Sequence, residues 1–271
     1  MLSKEVRKKI RKVEIKSNRL VEEIFSGEYR SGFRGKGIEF DDIRQYNFGD
    51  DVRSIDWNVT ARQNRPYIKQ YQEERELNIF LLIDLSHSSN FGRKRDIIVE
   101  LSATLAFSAI KNNDKVGALL FTDRVEKIVP SRNGKKHVLS IIQDILSLEP
   151  EHRGTDLKNA LEYFNRIQKK QSIVFLISDF LADGFENELK ITDRKHDLVL
   201  LRIIDPAEEK LPAGAIFAFE DMETGETIFI DNLRGERETI TVVNLPKKNL
   251  INIYTDGDFV KPLKYFFKRR G

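Results

Sequence analysis

The chain has 271 residues, 40% of them hydrophobic, enough for one domain of moderate size with an attached segment. Its 46 basic and 43 acidic residues leave a formal net charge of +3, a balance that does not argue for nucleic acid or another polyanion as partner. The absence of cysteine excludes disulfides and thiolate metal sites, and the four histidines form no zinc-ligand cluster. The residues from Met1 to Arg19 are too charged for a secretory signal, and no apolar run is long enough to span a bilayer, so a soluble cytoplasmic protein is expected.

Val6, Ile10, Val13, Leu20, Val21 and Ile24 recur at helical spacing and predict a helix from about Ser3 to Phe25. Arg7, Lys8, Lys9, Arg11, Lys12 and Lys16 lie on its other face. A solvated surface accounts for them, peripheral membrane contact is the alternative, and no aromatic residues interleave them to stack on bases. From Gly27 to Glu76 the periodicity fades, with Gly27, Gly32, Gly35, Gly37 and Gly49 marking turns. Residues 1–76 therefore read as a helix and a loop-rich extension. No strand precedes these glycines and no lysine-serine or lysine-threonine pair follows them, which argues against a phosphate loop. Asp41, Asp42, Asp50, Asp51 and Asp56 alternate with Arg44, Arg53 and Arg62, a pattern better suited to an ion-pair network than to a two-metal nuclease site. Tyr67 to Tyr71 alternates like a half-exposed strand.

The second region, residues 77–271, opens on an unbroken apolar run, Leu77 to Ile83, expected of a strand buried on both faces. It ends at Asp84-Leu85-Ser86-His87-Ser88. One carboxylate and two hydroxyls two residues apart, at the strand end where open α/β sheets bind ligands, suit magnesium, which prefers six oxygen ligands. Ser88, Ser89 or Asn90 equally suits the cap of the next helix. That helix is expected over Arg95 to Asn112, with Ile97, Ile98, Leu101, Leu105 and Ile110 as its buried stripe. A strand, Val116 to Thr122, and a hairpin partner, Val125 to Val129, follow, then a helix from about Lys135 to Leu146. Arg153-Gly154-Thr155-Asp156 leads into a helix over Leu157 to Ile167, where Thr155 suits a ligand or an N-cap alike. Ser172 to Asp179 repeats the apolar strand ending in aspartate. Asp197 to Ile204 is another core strand, Ala215 to Glu220 and Thr227 to Asp231 form a hairpin around Thr224-Gly225, and Leu250 to Thr255 precedes a terminal helix, Phe259 to Lys268. Strands alternating with helices predict an α/β fold whose mainly parallel sheet is covered on both faces.

Asp84, Ser86 and Ser88, then Thr155 after a glycine, then Asp179 at the end of a later strand, resemble the metal-ion-dependent adhesion site (MIDAS) of von Willebrand factor A domains. The upstream stretches Gly35 to Tyr46, Gly49 to Asn58, Thr60-Ala61-Arg62 and Glu73 to Glu76 resemble the bacterial domain-of-unknown-function family fifty-eight, in which such a segment precedes a von Willebrand-like domain. The resemblance implies a von Willebrand factor A-like, Rossmann-like sheet domain and a magnesium site, with manganese or calcium as substitutes. It assigns direct coordination to Ser86, Ser88 and Thr155 and a role through bound waters to Asp84 and Asp179, leaving one position open for a partner's carboxylate. It also implies a MoxR-type AAA+ ATPase as partner, in the manner of Bat aerotolerance operons, and a role in protein assembly, maturation or stress. Ser89 stands where relatives often carry methionine, and Ser178-Asp179-Phe180 where the wider superfamily often has threonine, aspartate and glycine; the ligand set survives both changes.

The function expected is binding rather than catalysis. A magnesium-dependent phosphohydrolase or nuclease anchored on Asp84 is the enzymatic rival, but Ser86 occupies the position where an aspartyl phosphatase needs its second carboxylate. A membrane-surface scaffold with a vestigial metal site is the third reading.

Overall fold

The computed structural model describes residues 4–24, 39–72, 76–150, 152, 154–209, 216–220, 227–231 and 245–270. The chain divides into two compact units, residues 34–77 and the remainder.

The larger unit is built on a six-stranded sheet. Its centre is β3 (Asn78–Asp84), which runs parallel to β4 (Lys115–Phe121) on one side and to β6 (Ile173–Ser178) on the other. Beyond β6 lie β7 (Asp197–Ile204) and β10 (Leu250–Tyr254), both parallel, and beyond β4 lies the antiparallel edge strand β5 (Val125–Arg132). The order β10-β7-β6-β3-β4-β5 reverses direction at β3, so the loops leaving β3 and β6 diverge around one crevice at their carboxyl ends. Ile79 to Asp84 are all buried, as expected of a strand flanked by parallel neighbours with both faces covered.

Alternation along the strands divides the core in two. Phe80, Leu82, Leu119, Phe121, Val174, Leu176, Leu198 and Leu200 face a layer made by α5 (Leu157–Ile167) and α6 (Glu186–Lys195). The opposite face is covered by α3 (Lys94–Lys111) and α4 (Lys135–Ser147), with α1 (Lys4–Ile24) and the terminal α8 (Val260–Arg270) on the same side. α3 is buried well beyond the expected stripe, at Ala103, Thr104, Ala106, Phe107 and Ala109 as well, because α1 packs on it from outside; Ser17 and Thr104 meet there at 3.4 Å. The N-terminal helix is thus part of the sheet unit. α6 escapes sequence reading because Leu189 and Thr192 are its only buried residues and most of the rest is charged.

Gly117 faces Phe80 across the β3–β4 register, and a Cβ at this position would lie 2.5 Å from the ring. Gly117→Ala is therefore expected to lower the unfolding free energy by about 1–3 kcal/mol, read from the urea midpoint.

The smaller unit corrects the expectation of a loop-rich segment. β1 (Glu39–Gln45) and β2 (Tyr67–Gln72) pair antiparallel, and a 3-10 turn at Val52–Ser54 and α2 (Trp57–Gln63) lie between them. The strand β1 is hidden in the sequence because Glu39-Phe40-Asp41-Asp42-Ile43-Arg44-Gln45 carries charge where alternation should show. Of the expected arginine-aspartate network, the Arg44–Asp50 pair is seen: Arg44 holds Asp50 through paired bonds of 2.8 and 2.7 Å, which lowers the Asp50 pKa. Asp51 and Asp56 cap the 3-10 turn and α2. The turns expected at Gly27, Gly32, Gly35 and Gly37, and at Thr224-Gly225, lie outside the described residues; the hairpin strands β8 (Ile216–Glu220) and β9 (Thr227–Asp231) pair as expected.

Candidate metal centre

Asp84 ends β3 with its carboxylate buried, and both oxygens are engaged: Oδ1 accepts from the Ser86 backbone N–H at 2.9 Å and Oδ2 from the Ser178 hydroxyl at 2.6 Å. The turn that follows brings the Ser86 and Ser88 hydroxyls to 3.1 Å from each other. Neither serine caps α3. The helix begins after Arg93 with no side-chain cap, and Ser86 makes no cap bond to the 3-10 turn His87–Asn90. The helix-capping alternative for this loop therefore fails. Arg95 fastens the loop from the side, reaching Ser89 Oγ at 3.5 Å and the carbonyls of Ile145 and Leu148 at 2.8 and 3.3 Å.

Asp179 follows β6, the neighbour of β3, and is also buried. Its Oδ1 accepts from the Leu181 N–H at 3.2 Å. Phe180 takes φ = 60°, the left-handed region, where the wider superfamily often has glycine. Its buried ring, packed near Phe185, and its N–H bond to Ser178 Oγ at 3.0 Å hold that conformation, so the glycine-free sequence keeps a glycine-type loop. Burial, and then the nearby Asp179 charge, raise the Asp84 pKa to about 6, against the lowering effect of its hydroxyl and amide donors.

Thr155 comes from the next loop along. Its neighbour Asp156 donates its backbone N–H to Thr122 O at 3.0 Å, just past the end of β4, which places the 155–156 turn at the same sheet edge. Asp156, not Thr155, caps α5, accepting from Asn159 N at 2.8 Å. The structure thus brings Asp84, Ser86, Ser88 and Asp179 together and sets Thr155 on the same edge with its hydroxyl free of capping duty.

Sequence reasoning misses Lys94. In Gly-Arg-Lys-Arg it reads as one surface cation among many, yet it is 1% exposed, and its ammonium lies 3.0 Å from Asp179 Oδ2 and 2.5 Å from Glu208 Oε1. Glu208 belongs to the short helix α7 (Pro206–Glu209) after β7, and burial raises its pKa despite Lys94. Asp205, at the same strand end, accepts from Thr255 Oγ1 at 2.7 Å and lies against Gly92. The signal available in the sequence was the Asp205-Pro206 strand end, a third acid at the same edge.

Among the described residues no group of three or more histidine, aspartate or glutamate side chains could hold a metal ion. The candidate set is instead two carboxylates and hydroxyls. It fits a small hard cation on two counts: burial and the nearby Asp179 charge disfavour the ionised form of Asp84, which a cation would restore, and a hydroxyl pair 3.1 Å apart matches the ~3 Å edge of an octahedron with ~2.1 Å bonds.

The family described as "Protein of unknown function DUF58" matches residues 42–244. The chain belongs to this family. The match spans most of the smaller unit and most of the sheet unit. The chain is 29% identical over 223 residues to "Uncharacterized protein Mb1516" of Mycobacterium bovis, covering 80% of this chain and 70% of that protein. It is 27% identical over 103 residues to "Uncharacterized protein YeaD" of Bacillus subtilis, covering 38% of this chain and 25% of that one. The crystal structure of the conserved hypothetical protein BatB from Bacteroides thetaiotaomicron aligns with a TM-score of 0.47 at 15% identity, over 72% of this chain and 98% of that chain. Among the described residues no helix is long and apolar enough to cross a membrane.

Proposed function

We propose that this DUF58 chain is a metal-dependent protein-binding module, in which a divalent cation held at the β3–β6 crevice takes an acidic side chain of a partner. The observation that carries the reading is the hydroxyl pair of Ser86 and Ser88, committed to no helix cap and lying beside a buried Asp84 that faces Asp179. Ser86, Ser88 and Thr155 would hold the ion directly, and Asp84 and Asp179 through water. When bound, the cation supplies a Lewis-acidic position for a carboxylate. Two charged oxygens pinned by Ser86 N–H and Ser178 keep Asp84 oriented, and the bonds of Asp179 to Leu181 N–H and Lys94 do the same for the second carboxylate.

Magnesium is the ion proposed, with manganese or calcium as substitutes. The resemblance to MoxR-associated proteins supports a MoxR-type AAA+ ATPase as the partner, and assembly, maturation or stress tolerance as the setting. Binding is favoured over catalysis because Ser86 occupies the position where an aspartyl phosphatase needs its second carboxylate.

The test is binding of a purified MoxR-type ATPase to the immobilised chain in magnesium and in EDTA. Binding in magnesium that drops at least tenfold in EDTA, and equally with Ser88→Ala, is expected; binding indifferent to both contradicts the proposal.

A further inference from the structure

Lys94 is the cation that the metal reading leaves unexplained. A lysine ammonium is costly to bury, and this one is buried between two acids rather than released to solvent along its flexible stem. It sits at the first residue of α3, where the helix dipole disfavours a cation, so the two carboxylates must hold it against that field. One of those carboxylates, Asp179, is a candidate ligand of the metal site, and the other, Glu208, lies outside the candidate ligand set.

Resting on the metal reading above, we propose that Lys94 is a positioning residue that tunes the site's cation affinity, its shared ammonium neutralising part of the Asp179 charge while Glu208 offsets it. A positive charge one hydrogen bond from Asp179 repels an incoming divalent ion across a few ångströms of low-dielectric protein, so the site binds metal more weakly than its two aspartates alone would. Glu208 works in the opposite direction. It bonds the same ammonium and so returns charge to Asp179. Glu208 is also fixed by the Asp205 N–H, so the tuning element joins the metal site to the strand end of β7. The crevice is thereby kept weakly charged, and an ion bound there retains its pull on an acidic partner residue.

The two charge-removing variants should move metal affinity in opposite directions. Isothermal titration of magnesium and of manganese is expected to show Lys94→Met binding about tenfold tighter than wild type and Glu208→Gln several-fold weaker, with Lys94→Arg near wild type. Thermal melting in EDTA runs beside it, and Lys94→Met should melt lower there because two buried acids lose their cation. A purely structural role would weaken binding in both variants or in neither, and either pattern overturns the tuning. If Lys94→Met fails to fold, Lys94→Gln, which keeps a polar donor for both acids but no charge, takes its place: tighter binding supports the proposal, and equal or weaker binding overturns it. Wild-type protein that binds neither ion overturns the metal reading and this inference with it, whereas wild-type binding with the wrong signs overturns only the role of Lys94.

Discussion

Asp84→Asn is expected to make the metal-free protein more stable, by about 2–3 kcal/mol at pH 7, while abolishing its response to magnesium. The folded-state pKa of about 6 lies above the ordinary 3.8, so the folded protein holds a proton there that the unfolded chain releases. For a carboxylate raised in this way, stability falls as pH rises from about 4 to 6 and stays low above it. The amide avoids this loss. Its oxygen still accepts from Ser86 N–H, and its nitrogen faces the Ser178 hydroxyl, which can accept. Urea unfolding in EDTA from pH 4 to 7 should show the variant's advantage growing from nearly nothing to its full value across that window. A variant less stable than wild type at pH 7 would show that Asp84 is held for the fold and not at its expense. The buried, mutually repelling pair is what a site built for a cation looks like before the cation arrives.

Gly92→Ala should be among the most damaging single substitutions in the chain, at about 2–4 kcal/mol. Gly92 takes φ = 53°, which costs any residue with a Cβ, and that Cβ would lie 2.6 Å from Asp205 Oδ2. The Asp205 carboxylate cannot easily retreat, because Thr255 Oγ1 and Ala207 N–H hold it at 2.7 and 3.0 Å. Gly184→Ala is the control: its φ of 77° is also positive, yet outside its own chain neighbours no atom lies within 4 Å of the added carbon. The difference between the two urea midpoints isolates the clash. Equal losses would show that the serine loop and the β7 strand end are not packed as tightly as described.

The strands of the sheet unit were legible because burial on both faces leaves unbroken apolar text, as in Ile79 to Ile83 and Ile173 to Ile177. Of the candidate ligands, Asp84 and Asp179 were readable for the same reason, since each interrupts such a run. What the sequence hid was relational. Lys94 looks like its neighbours Arg93 and Arg95 until the fold buries it against acids 85 and 114 residues away. The capping role of Asp156 rather than Thr155 is a matter of one residue's offset, which spacing cannot decide. β1 was obscured by charge while β2 showed through its alternation, and α6 was obscured by having too narrow a buried face to leave a period. Burial of α3 on its outer side could not be read from α3 at all, because α1, distant in sequence, supplies it.

Titration of magnesium into wild-type protein and into the Ser86→Ala, Ser88→Ala double variant, with melting in EDTA as the folding control, tests the central claim most directly. The hydroxyls make no cap, so the double variant should melt within a few degrees of wild type in EDTA and bind magnesium at least a hundredfold more weakly. Wild-type affinity in a folded double variant would mean that the paired hydroxyls are not ligands, and the metal-centred account of this protein would be wrong.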